Sequence, residues 1–233
     1  MTIKRVFALG NGESRKEINL DKLRPHGITY GCNALYRDFI PDALVSVDPG
    51  IKEEIWETEY LLENKAYFKD WSADSPQGCH QYHKLGGEDS SKKVINSTDV
   101  IIGKFPDDAI RIGYSSGSTS VLVACIEEVP DEIYLIGHDL AASDLKISRR
   151  IPPVDIPSGR FNNVYKDSKN YAESHSGPTP TSNWISQLKR TFEDFGTVEF
   201  YMVSYKKREV EDWKSLVNIH YITFDEMWKR LNR

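Results

Sequence analysis

Cysteine is scarce in this chain. Cys32, Cys79 and Cys125 are an odd set, far apart and in no Cys-x-x-Cys arrangement. That excludes a disulfide framework and a cysteine-rich zinc site, and fits a reducing, cytoplasmic setting. His-Glu-x-x-His and Asp-x-Asp are both missing: Asp42, Asp48 and Asp139 stand alone, and Asp107-Asp108 are adjacent. Without paired carboxylates no resident metal is expected. His80 and His83 have a spacing that permits a metal but no third ligand in a known pattern, and read as surface. No apolar run approaches the length of a membrane span, and the N-terminus passes almost directly into a strand pattern. Neither a spanning helix nor a signal or transit peptide is therefore expected. A net charge of −5 over 233 residues argues against a general nucleic-acid binder.

What is present is an alternation of short apolar runs with helical periodicity. Strands are expected at 5–9, 28–31, 43–47, 66–68, 100–102, 132–136, 198–202 and 219–222, and helices at 15–23, 52–62, 118–127, 183–195 and 224–231. Several strands are continuously apolar, as in parallel strands covered on both faces. The expectation is one α/β domain over 1–233, a Rossmann-like, doubly wound, mostly parallel sheet with ligands beyond the carboxyl ends of its strands. Two stretches break the alternation, 72–97 and 138–180. The second is rich in proline, tyrosine and asparagine, carries a small positive excess on an otherwise acidic chain, and reads as a lid.

The most informative segment is Phe7-Ala8-Leu9-Gly10-Asn11-Gly12-Glu13-Ser14. A strand feeds a glycine-rich turn into a helix start, with Ser14 as N-cap and Glu17 completing a capping box. Such a turn lets an anion approach the backbone N–H groups, and a phosphate is the expected guest. The third glycine of a dinucleotide fingerprint is absent, Arg15 taking its place, and no Gly-Lys-Ser/Thr follows. Tyr114-Ser115-Ser116-Gly117-Ser118-Thr119 before an apolar helix is a second turn of this kind, in which Ser115 or Ser116 either caps the helix or binds an anion. Asp139, in Gly137-His138-Asp139, and Asp48 both end apolar strands and could orient a hydroxyl, a metal or a base. His138, and His175 within 138–180, are the candidate general bases.

Leu9-Gly10-Asn11-Gly12-Glu13-Ser14, Tyr30-Gly31-Cys32-Asn33, Tyr114-Ser115-Ser116-Gly117 and Ile133 to Asp139, in that order, resemble the family 42 glycosyltransferases, the bacterial sialyltransferases that use CMP-sialic acid without a metal. The same skeleton is similar to the MptE-like 6-hydroxymethylpterin diphosphokinases, which Pro41 to Asp48 resembles more. The resemblance implies that Gly10, Asn11, Gly12 and Ser14 cradle the donor phosphate. It places Asn33 on the nucleotide, and Ser115, Ser116 and Gly117 on its ribose and phosphate side. It also implies that Tyr165 and Tyr171 hold the leaving phosphate, with His175 as base. The tyrosine pair lies farther beyond Gly137-His138-Asp139 than in that family, and Glu13 stands where the family has proline.

Three functions are open at this point. One is a metal-independent transferase moving a sugar from a nucleotide donor, CMP-type among the candidates, to an unidentified hydroxyl acceptor. A second is a Mg²⁺-dependent phosphoryl or pyrophosphoryl transferase with Asp48 and Asp139 as ligands. A third is a nucleotide-binding module without chemistry. No cofactor beyond the nucleotide is expected, and homo-oligomerisation is left open.

Overall fold

The computed structural model describes residues 3–68, 102–103, 114–140, 162–176, 181–205, 207 and 209–232. Eight strands among them form one sheet: β1 (Arg5–Leu9), β2 (Ile28–Cys32), β3 (Ala43–Ser46), β4 (Ala66–Phe68), β5 (Ile102–Gly103), β6 (Glu132–Ile136), β7 (Glu199–Ser204) and β8 (Ile219–Thr223). Their order is β5-β4-β3-β2-β1-β6-β7-β8, and every pairing is parallel. The chain builds outward from β1 in one direction, then returns to place β6 on its other side. The reversal between β1 and β6 is where an open α/β sheet offers a crevice.

Strand alternation divides the core. Val6 and Ala8 point to the face covered by α3 (Ser116–Glu128) and α4 (Ser182–Asp194), where Val121, Leu122, Leu188 and Phe192 join them. Phe7 and Leu9 point to the other face, with Leu20, Leu23, Ile51 and Ile55 and with Met227 and Leu231 of α5 (Phe224–Leu231). Both faces are buried, which is why the strands read as apolar runs.

Two expected helices take other forms. The 15–23 segment is a pair of 3-10 turns, Glu13–Glu17 and Leu20–His26. Gly12, not Ser14, is the N-cap of the first, without a side-chain cap. Asn19 starts the second by accepting from the Asp21 N–H, which ends the first before a full helix forms. The 52–62 helix is split into α1 (Pro49–Trp56) and α2 (Tyr60–Glu63). Thr58 divides them, donating its hydroxyl to the Ile55 carbonyl (2.7 Å) and accepting from the Tyr60 N–H (3.2 Å). The expected strand at 100–102 is met by Ile102–Gly103 within the described residues. His80, His83, Cys79, Asp107 and Asp108 lie outside the described residues.

The capping box at α5 is formed as its sequence indicates. Thr223 Oγ1 accepts from the Glu226 N–H, and the Glu226 carboxylate accepts from the Thr223 N–H. Thr223→Ala is expected to lower unfolding free energy by about 1 kcal/mol. A urea midpoint that falls with the m-value unchanged is the readout.

Candidate functional site

The turn after β1 and the turn after β6 are packed onto each other. The Gly10 N–H donates to the Ile136 carbonyl and the Gly12 N–H to that of Gly137, both at 2.8 Å. Gly137 has φ +72°, and a Cβ there would meet the Gly10 carbonyl oxygen at 2.6 Å. A Cβ on Gly12 would lie 2.4 Å from the Asp139 carboxyl carbon. The glycine at position 12 therefore makes room for Asp139, not for a ligand.

That carboxylate takes the place expected for a phosphate. Asp139 Oδ2 accepts from the Ser14 N–H (2.9 Å), and Oδ1 accepts from the Ser14 hydroxyl. Asn162 completes the arrangement, accepting from the Glu13 N–H (2.9 Å) and donating to Asp139 Oδ2 (3.1 Å). The first N–H groups of the 3-10 turn are thus satisfied within the protein. Glu13 turns away from them to Lys16 and Lys166, each at 2.9 Å. Burial alone would raise its pKa, but the two lysines hold it below the ordinary carboxylate value.

Residues 162–176 form a strap over the β1 and β2 turns. The Val164 N–H donates to the Asn11 carbonyl, Arg37 donates to Ser168 Oγ and the Lys169 carbonyl, and Asn170 donates to Gly50 and Glu54. Tyr165 is 8% exposed. Its hydroxyl accepts from Arg15 (2.6 Å) and donates to Asp38. The Tyr171 hydroxyl accepts from the Ala34 N–H (3.3 Å) and lies 3.4 Å from Asn11 Nδ2. Burial pushes both phenol pKa values up, so both hydroxyls stay protonated. His175 lies at the strap's far end, 81% exposed and paired with Glu173 at 2.9 Å. No hydrogen bond joins it to either turn among the described residues.

The second turn reaches the first through side chains. Ser115 is the N-cap of α3, its Oγ accepting from the Ser118 N–H (3.2 Å). Ser116 Oγ accepts from the Val47 N–H and donates to Asp48 Oδ2, each at 3.0 Å. Asp48 also accepts from Asn33 Nδ2 (2.6 Å). Asn33 has φ +50°, in the left-handed region, where its side chain also meets Ser46. Asn11 donates to the Cys32 carbonyl (3.1 Å), while its buried Oδ1 has no partner. Burial pushes the Cys32 thiol up to about 12, so it is inert as a nucleophile.

His138 sits where these pieces converge. A methyl group placed on Gly10 would lie 3.1 Å from its Cδ2, and one on Gly117 would lie 3.6 Å from its Cε1. The imidazole is therefore held between the β1 turn and the N-terminus of α3. Its Nε2 is buried without a partner. Burial pushes its pKa down to about 4, partly offset by a hydrogen bond with the Ala8 backbone. With Nε2 partnerless, that bond falls to Nδ1–H, leaving a lone pair on Nε2.

Of the expected site residues, Gly10, Asn11, Asn33, Asp48, Ser116, Gly117, His138 and Tyr171 meet in one cluster. Ser14 and Asp139 satisfy one another in the space that Gly12 leaves, Ser115 caps a helix, Tyr165 is committed to Arg15 and Asp38, and His175 faces solvent. Gly113-Tyr114-Ser115-Ser116-Gly117 also has the Gly-x-Ser-x-Gly spacing of a nucleophile elbow. Ser115 is bonded to Ser118, and no histidine bonds it among the described residues. Sequence reasoning missed Asn162, whose only signal was an Asn-Asn pair in the presumed lid.

No family model matches the chain, and no curated protein matches it. Among solved structures the chain is similar to the sialyltransferase CstII from Campylobacter jejuni in complex with a substrate analogue, cytidine-5'-monophosphate. Identity is 15%, covering 84% of this chain and 100% of that one, with a TM-score of 0.36. A likeness that distant carries no argument about chemistry. Among the described residues no helix is long and apolar enough to cross a membrane, and no group of three or more His, Cys, Asp or Glu could hold a metal ion.

Two outcomes follow from this geometry. Asp139→Ala strands the Ser14 and Asn162 donors and is expected to cost about 1–3 kcal/mol in chemical denaturation. The second concerns pH. Below 6.5 the unfolded imidazole of His138 takes a proton that the folded one refuses until about pH 4, so stability rises with pH across that window. The rise is up to about 3 kcal/mol. Urea unfolding at stepped pH should show this slope in the wild type and a much flatter profile in His138→Gln.

Proposed function

We propose that this chain is a metal-independent transferase of the glycosyltransferase type, drawing on a nucleotide-sugar donor, with a CMP-type nucleotide one candidate. The observation that carries the reading is the partnerless Nε2 of His138, held between Gly10 of the β1 turn and Gly117 at the N-terminus of α3, where the adjoining Ser116 is bonded to Asp48 and Asp48 to Asn33. In this reading the first N–H groups of α3 receive the donor phosphate. Asn33 and Asp48 orient the ribose hydroxyls. His138 Nε2 removes the proton from the acceptor hydroxyl as the sugar–phosphate bond breaks, and the helix terminus stabilises the departing phosphate. The low pKa of His138 suits this role only once the donor is bound, because an anion alongside would raise it toward neutrality. His175 has no part in the step.

The magnesium-dependent alternative loses support because both Asp139 oxygens are already engaged by Ser14 and Asn162, leaving Asp48 without a second carboxylate. The non-catalytic alternative draws its support from Tyr165, whose hydroxyl is committed to Arg15 and Asp38.

Thermal melts with CMP, UMP, GMP, AMP and their sugar conjugates test the reading. A true ligand at ~100 times its dissociation constant adds about 2.7 kcal/mol. The affinity of the bound nucleotide should strengthen as pH falls from neutral toward 5, through proton uptake on His138. His138→Gln should lower turnover by about 10²–10⁴-fold with binding at neutral pH largely kept. No shift with any nucleotide sinks the proposal, and binding without turnover of any sugar conjugate transfers support to the non-catalytic module.

A further inference from the structure

A cavity of about 290 Å³ is bounded by the two 3-10 turns, Asp38 and Phe39, and Val164 of the strap. At about 30 Å³ per water it has room for a small organic molecule. Ile18, Leu20, Phe39 and Val164 supply apolar wall, and Arg15, Lys16 and Asp38 supply charge.

Arg15 is the member whose chemistry is unfinished. It is 3% exposed, so its guanidinium is nearly dry. One terminal nitrogen reaches Asp38 at 3.3 Å and the other donates to the Tyr165 hydroxyl at 2.6 Å. The Nε–H is buried with no partner. A guanidinium has five N–H donors in a planar fork suited to a carboxylate, and a buried cation left this undermatched is costly. Asp38 is in the converse position: the Tyr165 hydroxyl and Arg15 engage it, yet its side chain is 47% exposed and can accept further bonds.

We propose that this cavity is a binding site for a small organic monocarboxylate with a hydroxyl or ammonium group next to the carboxylate. The carboxylate completes Arg15, with Lys16 alongside. The neighbouring donor bonds Asp38, and the apolar body lies along Ile18, Phe39 and Val164. Inorganic phosphate fits poorly, because Asp21 and Asp38 balance Arg15 and Lys16 and leave the lining with no net positive charge. The proposal stands independently of the nucleotide reading.

Isothermal titration and ligand-observed NMR on the full chain, with L-leucine, leucic acid, leucinamide and inorganic phosphate, test it. Leucine or leucic acid should bind, and leucinamide and phosphate should bind at least about tenfold more weakly. Ile18→Trp, which fills the cavity from its half-buried wall, should weaken the carboxylate by about tenfold or more, as should Arg15→Lys where it folds. Nucleotide-dependent melting should be unchanged in Ile18→Trp. The proposal is overturned if neither carboxylate binds the wild type at about 20 mM, if leucinamide binds equally well, or if Ile18→Trp leaves affinity unaltered.

Discussion

The Asp139 carboxylate joins three parts of the chain at the carboxyl edge of the sheet: the exit of β6, the turn after β1, and Asn162 at the start of the strap. It meets backbone donors that have no intrahelical partner, at the positive end of a short 3-10 turn, where a negative group is favoured. The glycine at position 12 exists to let it in. Because the protein supplies its own anion at this turn, the function proposed above assigns the external one to the N-terminus of α3.

That assignment explains the asymmetry between the two serine- and glycine-containing turns. The first is closed by Asp139 and Asn162, brought to it from the exit of β6 and the start of the strap. The second keeps Ser116 and Gly117 beside a neutral histidine and an asparagine in a left-handed conformation. Polar groups left unmatched here, Asn11 Oδ1 and His138 Nε2, are the kind of local cost that a folded chain keeps where a ligand completes the bonding.

The sheet was legible because burial on both faces leaves a direct mark: 132–136 and 43–46 have no exposed position to fill with a polar residue. α3 and α5 were legible from a hydroxylated cap, followed in α3 by a continuous apolar run and in α5 by a periodic apolar face. The 15–23 helix was not, because its fate rests on one asparagine turning back on its own backbone. Ser14 was misread as a cap because its true partner, Asp139, is 125 positions away. The pairing of Tyr165 with Arg15 and Asp38 is equally non-local: each residue looks ordinary until the strap brings them together.

Asn162 donates to Asp139 while accepting from the Glu13 N–H, so one amide side chain spans the exit of β6 and the turn after β1. Removing that side chain would loosen the strap's first residue and the turn beneath it together, because both of its bonds are lost in the same step.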